Sequence, residues 1–255
     1  MHMLNKLIVV FFFTCFAVIP AFAQSVDELL HEAAELMEAH NQEGALDLYL
    51  QVLEDNPEHY DALWNASLLH STIGFRFEDE NRQVEYYVRA QKLAEKAMEL
   101  HGDSGHPYYV MAVAKGRMAD HVGVNRRIEL GHIIGELAKK AVELMPDHAP
   151  SWHLYGVWQS EVANVSRAER VAARFISGGL PDGTNEFAEE YLMKAKSLDG
   201  KSIIIRLDLA RHFMRSGHDD RAIPVLEELL ELEPRLIDDP DFLEEAKEYL
   251  RDLRG

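Results

Sequence analysis

LDLARHFMRSGHDDRAIPVLEELLELEP, residues 207–234, is the stretch on which the fold turns. Apolar and small residues recur there at three- and four-residue spacing: Leu209, Ala210 and Phe213 before Gly217, then Ala222, Leu226 and Leu229 before Pro234. That period belongs to helices rather than strands, and the break at Gly217 divides it into two. Ala210 and Ala222 are small enough to let two antiparallel helices approach closely, while Phe213 and Leu226 fill the space around them. Pro234, which has no N–H to donate, stops the second helix.

This is the pattern of the tetratricopeptide repeat, and the rest of the chain can be laid out by it. The first unit places Leu29, Ala33 and Leu36 on one helix and Ala45, Tyr49, Val52 and Pro57 on the next, with Gly44 near the turn. Three further units have second helices running from Ala90 to Ala97, Ile134 to Ala141 and Ala188 to Ala195. The predicted fold is therefore an all-α, right-handed helical solenoid of about five helix pairs. The stops at Pro57, Gly102, Pro146, Gly200 and Pro234 lie 45, 44, 54 and 34 residues apart, so only the last interval has standard length and the middle repeats are lengthened. The insertions fall within the pairs: Ser67 to Ala90 spans 23 positions against 12 from Ala210 to Ala222. They are expected to lengthen helices or form loops on one rim. The run Ser177-Gly178-Gly179-Leu180-Pro181-Asp182-Gly183 is too rich in turn residues for a helix and predicts a mobile surface loop. From about Pro240 to Arg251, Phe242, Leu243, Ala246 and Leu250 share one face, which predicts a C-terminal helix capping the open end of the stack.

The first residues have a different character. Lys6, an apolar run from Leu7 to Ile19, Pro20 and the triplet Ala21-Phe22-Ala23 read as a secretory signal peptide of bacterial style over residues 1–23. Cleavage is expected after Ala23, leaving a mature domain over 24–255 in the periplasm or outside the cell, without stable membrane insertion. The single cysteine, Cys15, lies within that leader, so the mature domain has no thiol chemistry. A net charge of −18, with no Lys/Arg-rich stretch, excludes nucleic acid as the expected partner.

The segment Asn125-Arg126-Arg127-Ile128 with Gly131, followed by Trp152-His153-Leu154-Tyr155-Gly156-Val157-Trp158, is more specific than the general repeat. With Val162-Ala163, Arg170 to Arg174 and the Leu180-Pro181 loop, it resembles the regulator of microtubule dynamics family over roughly residues 60–235. The resemblance implies a helical tetratricopeptide-like scaffold. Eukaryotic members of that family are associated with microtubules, spindle poles or mitochondrial contact surfaces. A bacterial-style leader does not fit a tubulin role, so only architecture and scaffolding are carried over.

In tetratricopeptide stacks the first helix of each pair lines the concave face. The positions expected to point into that groove are Leu30, Trp64, Tyr109, His153 and Leu207. Two aromatic rings and a histidine in register suit the grip of an extended peptide or a helix. A second row, eight residues further along, reads Glu38, Thr72, Arg117, Glu161 and Arg215, with Arg211 nearby. Arg117, Arg211 and Arg215 are candidates to hold a partner's carboxylate. Against this, Trp64 and Tyr109 also suit the core, since large aromatics mostly contribute buried area.

Thirteen histidines fall into no metal-binding spacing, the mature chain has no activated-nucleophile motif, and no glycine-rich loop is followed by the Lys and Ser/Thr of a phosphate cradle. Neither catalysis nor a cofactor is expected. Arg126 and Arg127 suit pairing with acidic neighbours such as Glu129 better than an external anion. The expected function is an exported scaffold or adaptor that binds a protein or peptide in its groove. The alternative is a small-ligand binder whose insertions close over the groove around Tyr109 and His153.

Overall fold

The computed structural model describes residues 24–175 and 179–255. The leader, with Cys15 and the cleavage position after Ala23, and loop residues Ser177 and Gly178 lie outside the described residues. Among those described, all regular structure is helical: twelve helices, none long and apolar enough to cross a membrane.

The pairs are α1 (Val26–Glu38) with α2 (Gln42–Asp55), α3 (Tyr60–Phe75) with α4 (Glu80–Leu100), and α5 (His106–Ala119) with α6 (Val124–Leu144). Next, α7 (Ala149–Ala163) pairs with α9 (Asn185–Leu198) across the short α8 (Arg167–Ala173). Finally, α10 (Ile203–Arg215) pairs with α11 (Asp219–Leu230), and α12 (Asp239–Arg254) follows. Local chemistry sets several of these starts. Ser25 caps α1 in a reciprocal box with Glu28, and Asp79 accepts from the Asn81 and Arg82 amides at the start of α4.

The small residues of the repeat pattern are the closest points of contact. Ala33, Ala45, Ala66, Ala90, Ala210 and Ala222 are fully buried. At Gly156 of α7 any side chain would collide with α9, since a Cβ there would stand 2.9 Å from the Leu192 backbone nitrogen. Around these contacts Leu192, Leu207, Phe213, Leu226 and Leu229 build the C-terminal core, and Leu29, Tyr49, Val52 and Leu69 build the N-terminal one.

The insertions are resolved differently in different repeats. In the second and third pairs they extend the helix, so α4 and α6 each have 21 residues against 14 in α2. In the fourth they form α8 and the stretch that follows it. Residues 179–184 are nonhelical as expected, with Asp182 and Thr184 exposed, but part of the run is packed rather than on the surface. Gly179 and Pro181 are buried, the Gly179 carbonyl lies 3.0 Å from His132 Nε2, and the Thr184 amide donates to Gln159 Oε1 at 3.0 Å. These contacts answer the polar groups of a nonhelical backbone pressed onto α6 and α7.

The last helix does more than cap. Ala246 and Leu250 of α12 pack into the C-terminal core, but its beginning reaches back to the other end of the stack. Asp238 accepts from Arg76 Nε at 2.7 Å and Nη2 at 3.0 Å, and the same Nη2 donates to Gln42 Oε1 at 2.8 Å. Residues 162 positions apart thus tie α2, α3 and α12 together along one rim.

Candidate concave interface

The first helices of successive pairs, α3, α5, α7 and α10, bring the candidate residues to one side of the stack. Trp64 of α3 is partly exposed. Its indole stacks on His106 with ring centres 4.3 Å apart and planes 15° apart, and its Nε1 donates to Asp61 at 3.2 Å. His106 also pairs through Nδ1 with the Tyr60 hydroxyl at 2.9 Å. Tyr109, one turn further along α5, meets His148 edge-on at 5.2 Å, and His148 meets His106 at 5.3 Å. Trp64 and Tyr109 also pack against the core cluster of Met111, Leu130 and Ile134, so each ring is half wall and half surface.

This enclosure changes proton affinities. Burial pushes the Tyr109 phenol up to about 12. Burial, followed by the neighbouring His106, pulls His148 down to about 4, and burial lowers His106 as well. At neutral pH the row is therefore an uncharged aromatic and imidazole surface.

The arginines divide into two kinds. Arg211 donates to Asp208 at 2.7 Å and to both Glu245 oxygens at 2.6 Å, and Asp208 in turn lies 2.7 Å from His153 Nε2. Burial opposes the charge on Asp208, but hydrogen bonds and charge from His153 and Arg211 hold its carboxyl below the usual carboxylate range. Arg215 pairs with Glu161 at 2.5 Å. His153, Arg211 and Arg215 are thus committed to internal carboxylates. Arg117 differs: its guanidinium lies 3.9 Å above the Phe75 ring, burial lowers its pKa, and among the described residues no carboxylate oxygen comes within 4.0 Å of it.

One groove position is corrected. Leu207 is fully buried in the cluster that holds Ala246 and Leu250, because α12 lies against α10, and its neighbour Asp208 makes the polar contacts instead. Leu30, like Trp64 and Tyr109, is half-buried and packs against the core beside it. Sequence reasoning missed His106, His148, Phe75, Asp208 and Glu245. His106 and Asp208 were within reach, since one lies three residues before Tyr109 and the other three before Arg211 on the same helices. Phe75 meets Arg117 only because α3 and α5 pack side by side, and Glu245 reaches Arg211 only through α12. Elsewhere Arg126 pairs with Glu129 at 2.7 Å, and no group of three or more His, Cys, Asp or Glu among the described residues is placed to hold a metal ion.

A rim cleft of about 370 Å³ is lined by Phe75, Arg76, Asp238, Asp241, Phe242 and Glu245, at the point where α12 meets α3.

A stack of helix pairs with small residues at each crossing is a tetratricopeptide-type solenoid. Solved structures agree. The chain superposes on a thermophilic TPR protein of Thermus thermophilus with a TM-score of 0.67 and 18% identity, over 89% of this chain and 100% of that one. A tetratricopeptide repeat protein from Parabacteroides merdae matches with a TM-score of 0.58 and 15% identity, over 91% and 72%. Within that class, the chain belongs to the regulator of microtubule dynamics family: the family model for regulator of microtubule dynamics protein 1-3 matches residues 26–254, a wider span than the motifs alone had marked. Among its relatives, regulator of microtubule dynamics protein 3 of Rattus norvegicus is 28% identical over 207 residues, 78% of this chain and 43% of the relative. Regulator of microtubule dynamics protein 1 of Bos taurus is 30% identical over 179 residues, 68% and 55% respectively. The chain spans about half the length of these relatives.

Proposed function

We propose that the chain is a non-catalytic, exported scaffold that holds a protein or peptide partner on the concave side of its stack. The observation that carries this reading is the row Trp64, His106, Tyr109 and His148, with Arg117 two turns further along α5 and no carboxylate oxygen within 4.0 Å of it among the described residues. Fixed, partly exposed aromatic rings beside an arginine have the composition of interface anchors. Arg117 supplies the cation for a partner carboxylate, and His153 of α7 belongs to the same proposed surface. Arg211 and Arg215 take part only where a partner's acid replaces Glu245 or Glu161.

The test is a crosslinked pull-down from native extract with wild type beside a Trp64→Ala, Tyr109→Ala, Arg117→Glu variant of unchanged helicity. A specific protein enriched by wild type and lost with the variant supports the groove; equal enrichment by both sinks it. Export and a single mature domain over 24–255 are part of the proposal and rest on Lys6, the apolar run and Ala21-Phe22-Ala23. The intact mass of the native protein decides this: a chain beginning at Gln24 supports a periplasmic or secreted location, and one beginning at Met1 removes it.

A second reading, small-ligand binding, has one observation in its favour: the Arg76–Asp238 bridge closes one rim over the cleft beside Phe75 and Phe242. Tyr109 and His153 do not line that cleft. Native mass spectrometry of protein from its own source, with an added mass released on unfolding, is the outcome that would favour it.

A further inference from the structure

Apart from His153, the family-specific segment Trp152 to Trp158 is not used by the groove. With about 100° per residue along a helix, Trp152, Tyr155 and Trp158 are centred on the side of α7 opposite His153. There they meet α9 in a continuous chain of rings: Trp152 to Tyr191 at 5.2 Å, Tyr191 stacked on Tyr155 at 4.7 Å, Tyr155 to Trp158 at 5.8 Å, and Phe187 stacked on Tyr191 at 5.7 Å. All five rings are at least partly open, and Phe187 is 47% exposed.

We propose that this row is a second docking surface, which takes an extended, proline-rich segment of a partner protein. Both indoles are fixed by internal hydrogen bonds, Trp152 Nε1 to the Pro146 carbonyl and Trp158 Nε1 to the Gly131 carbonyl, each at 2.8 Å. Little side-chain freedom is therefore lost on binding. The Tyr155 and Tyr191 hydroxyls have no hydrogen-bond partner among the described residues and stand free to donate. A polyproline II strand leaves its carbonyls unsatisfied and accepts from them, whereas a docked helix satisfies its own. The described residues contain no strand, so addition to a sheet edge is not available.

Spacing agrees. Along the axis, six residues of helix raise Trp158 about 9 Å beyond Trp152, close to one turn of a polyproline II strand at about 9.3 Å, with Tyr155 midway. A proline of the chain itself already lies near the Trp158 end. Gly179-Leu180-Pro181 runs there without helix, and Pro181 Cγ is 3.7 Å from where a Cβ on Gly131 would stand, the residue whose carbonyl takes the Trp158 proton. Exposed Glu186 and Glu190 flank Phe187 and Tyr191 in sequence, on a protein of net charge −18, and select arginine rather than acid beside the prolines.

The probe is the fluorescein-labelled peptide Arg-Pro-Leu-Pro-Pro-Leu-Pro-Pro, with a control in which every proline is alanine, titrated by anisotropy into the full chain up to about 1 mM. Saturable binding is expected, at least tenfold weaker for the control, fivefold or more weaker for Phe187→Ser and Tyr155→Ala, and unchanged for Arg117→Glu. In the proton–nitrogen spectrum the indole signals of Trp152 and Trp158 should shift and that of Trp64 should not. Because Tyr155→Ala also touches the α7–α9 packing, the surface variant Phe187→Ser decides. No saturable binding, equal binding of the control, undiminished binding by Phe187→Ser, or a Trp64 shift with loss in Arg117→Glu each overturns the proposal; the last places the peptide in the groove.

Discussion

Lowering the pH from 7 to 5 is expected to cost the fold about 1–2 kcal/mol at His70 alone. His70 lies on α3, is 3% exposed, and meets the Tyr86 ring edge-on at 5.1 Å. Burial, and after it the Arg89 charge, lowers its pKa from 6.5 to about 4, and its buried Nδ1 has no hydrogen-bond partner among the described residues. The sign follows from proton counting. Between pH 6.5 and 4 the unfolded chain carries the proton and the folded chain does not, so stability falls as pH falls through that window. The full difference corresponds to roughly 3 kcal/mol below pH 4, of which somewhat more than half is lost by pH 5. For a chain of this size that is a drop of about 2–8 °C in Tm. The assay is urea unfolding followed by circular dichroism at both pH values, on wild type and His70→Phe, which keeps an aromatic ring against Tyr86. His106, His148 and His212, also lowered by burial, remain in both proteins, so the difference isolates His70. If the two proteins lose the same stability between pH 7 and 5, the reasoning is refuted.

Replacing Arg211 with Met leaves Asp208 and Glu245 facing each other without their shared cation, and should destabilise the chain by about 2–4 kcal/mol in chemical denaturation. Gly135→Ala drives a Cβ to 2.4 Å from the Trp158 ring; a loss of about 1–3 kcal/mol and a shifted tryptophan emission are expected. Ser25→Ala removes the amide cap of α1 and should cost about 1 kcal/mol, seen as faster hydrogen exchange confined to α1 and α2. Asp238→Asn cuts the Arg76 bridge at a partly exposed rim, so Tm should change little while spin labels on α3 and α12 report a wider distance distribution.

Much of this protein was legible one helix at a time. The five pairs, their stops and the lengthened middle repeats follow from residues that each helix needs for its own geometry: alanines at the crossings, apolar residues at three- and four-residue spacing, and Gly or Pro at the ends. The helical identity of the groove candidates was equally local. Trp64, Tyr109 and His153 do lie on the first helices of successive pairs, where the pattern assigned them.

What the sequence could not determine are the contacts that depend on how far the stack curves. The pattern in α10 assigned Leu207 to the groove, but α12 covers that side and turns it into core. The same helix brings Glu245 to Arg211, so a cation offered to a partner is neutralised from 34 positions away, and it brings Asp238 to Arg76 across 162 positions. Likewise, the glycine- and proline-rich run after α8 reads as an exposed loop, yet its later residues find hydrogen-bond partners on α6 and α7 that no spacing rule encodes. Helix periodicity is a property of neighbours along the chain and is written in the sequence itself. Which charges are left unpaired, and Arg117 over Phe75 is the example that bears on function, depends on surfaces that meet only when the stack has closed.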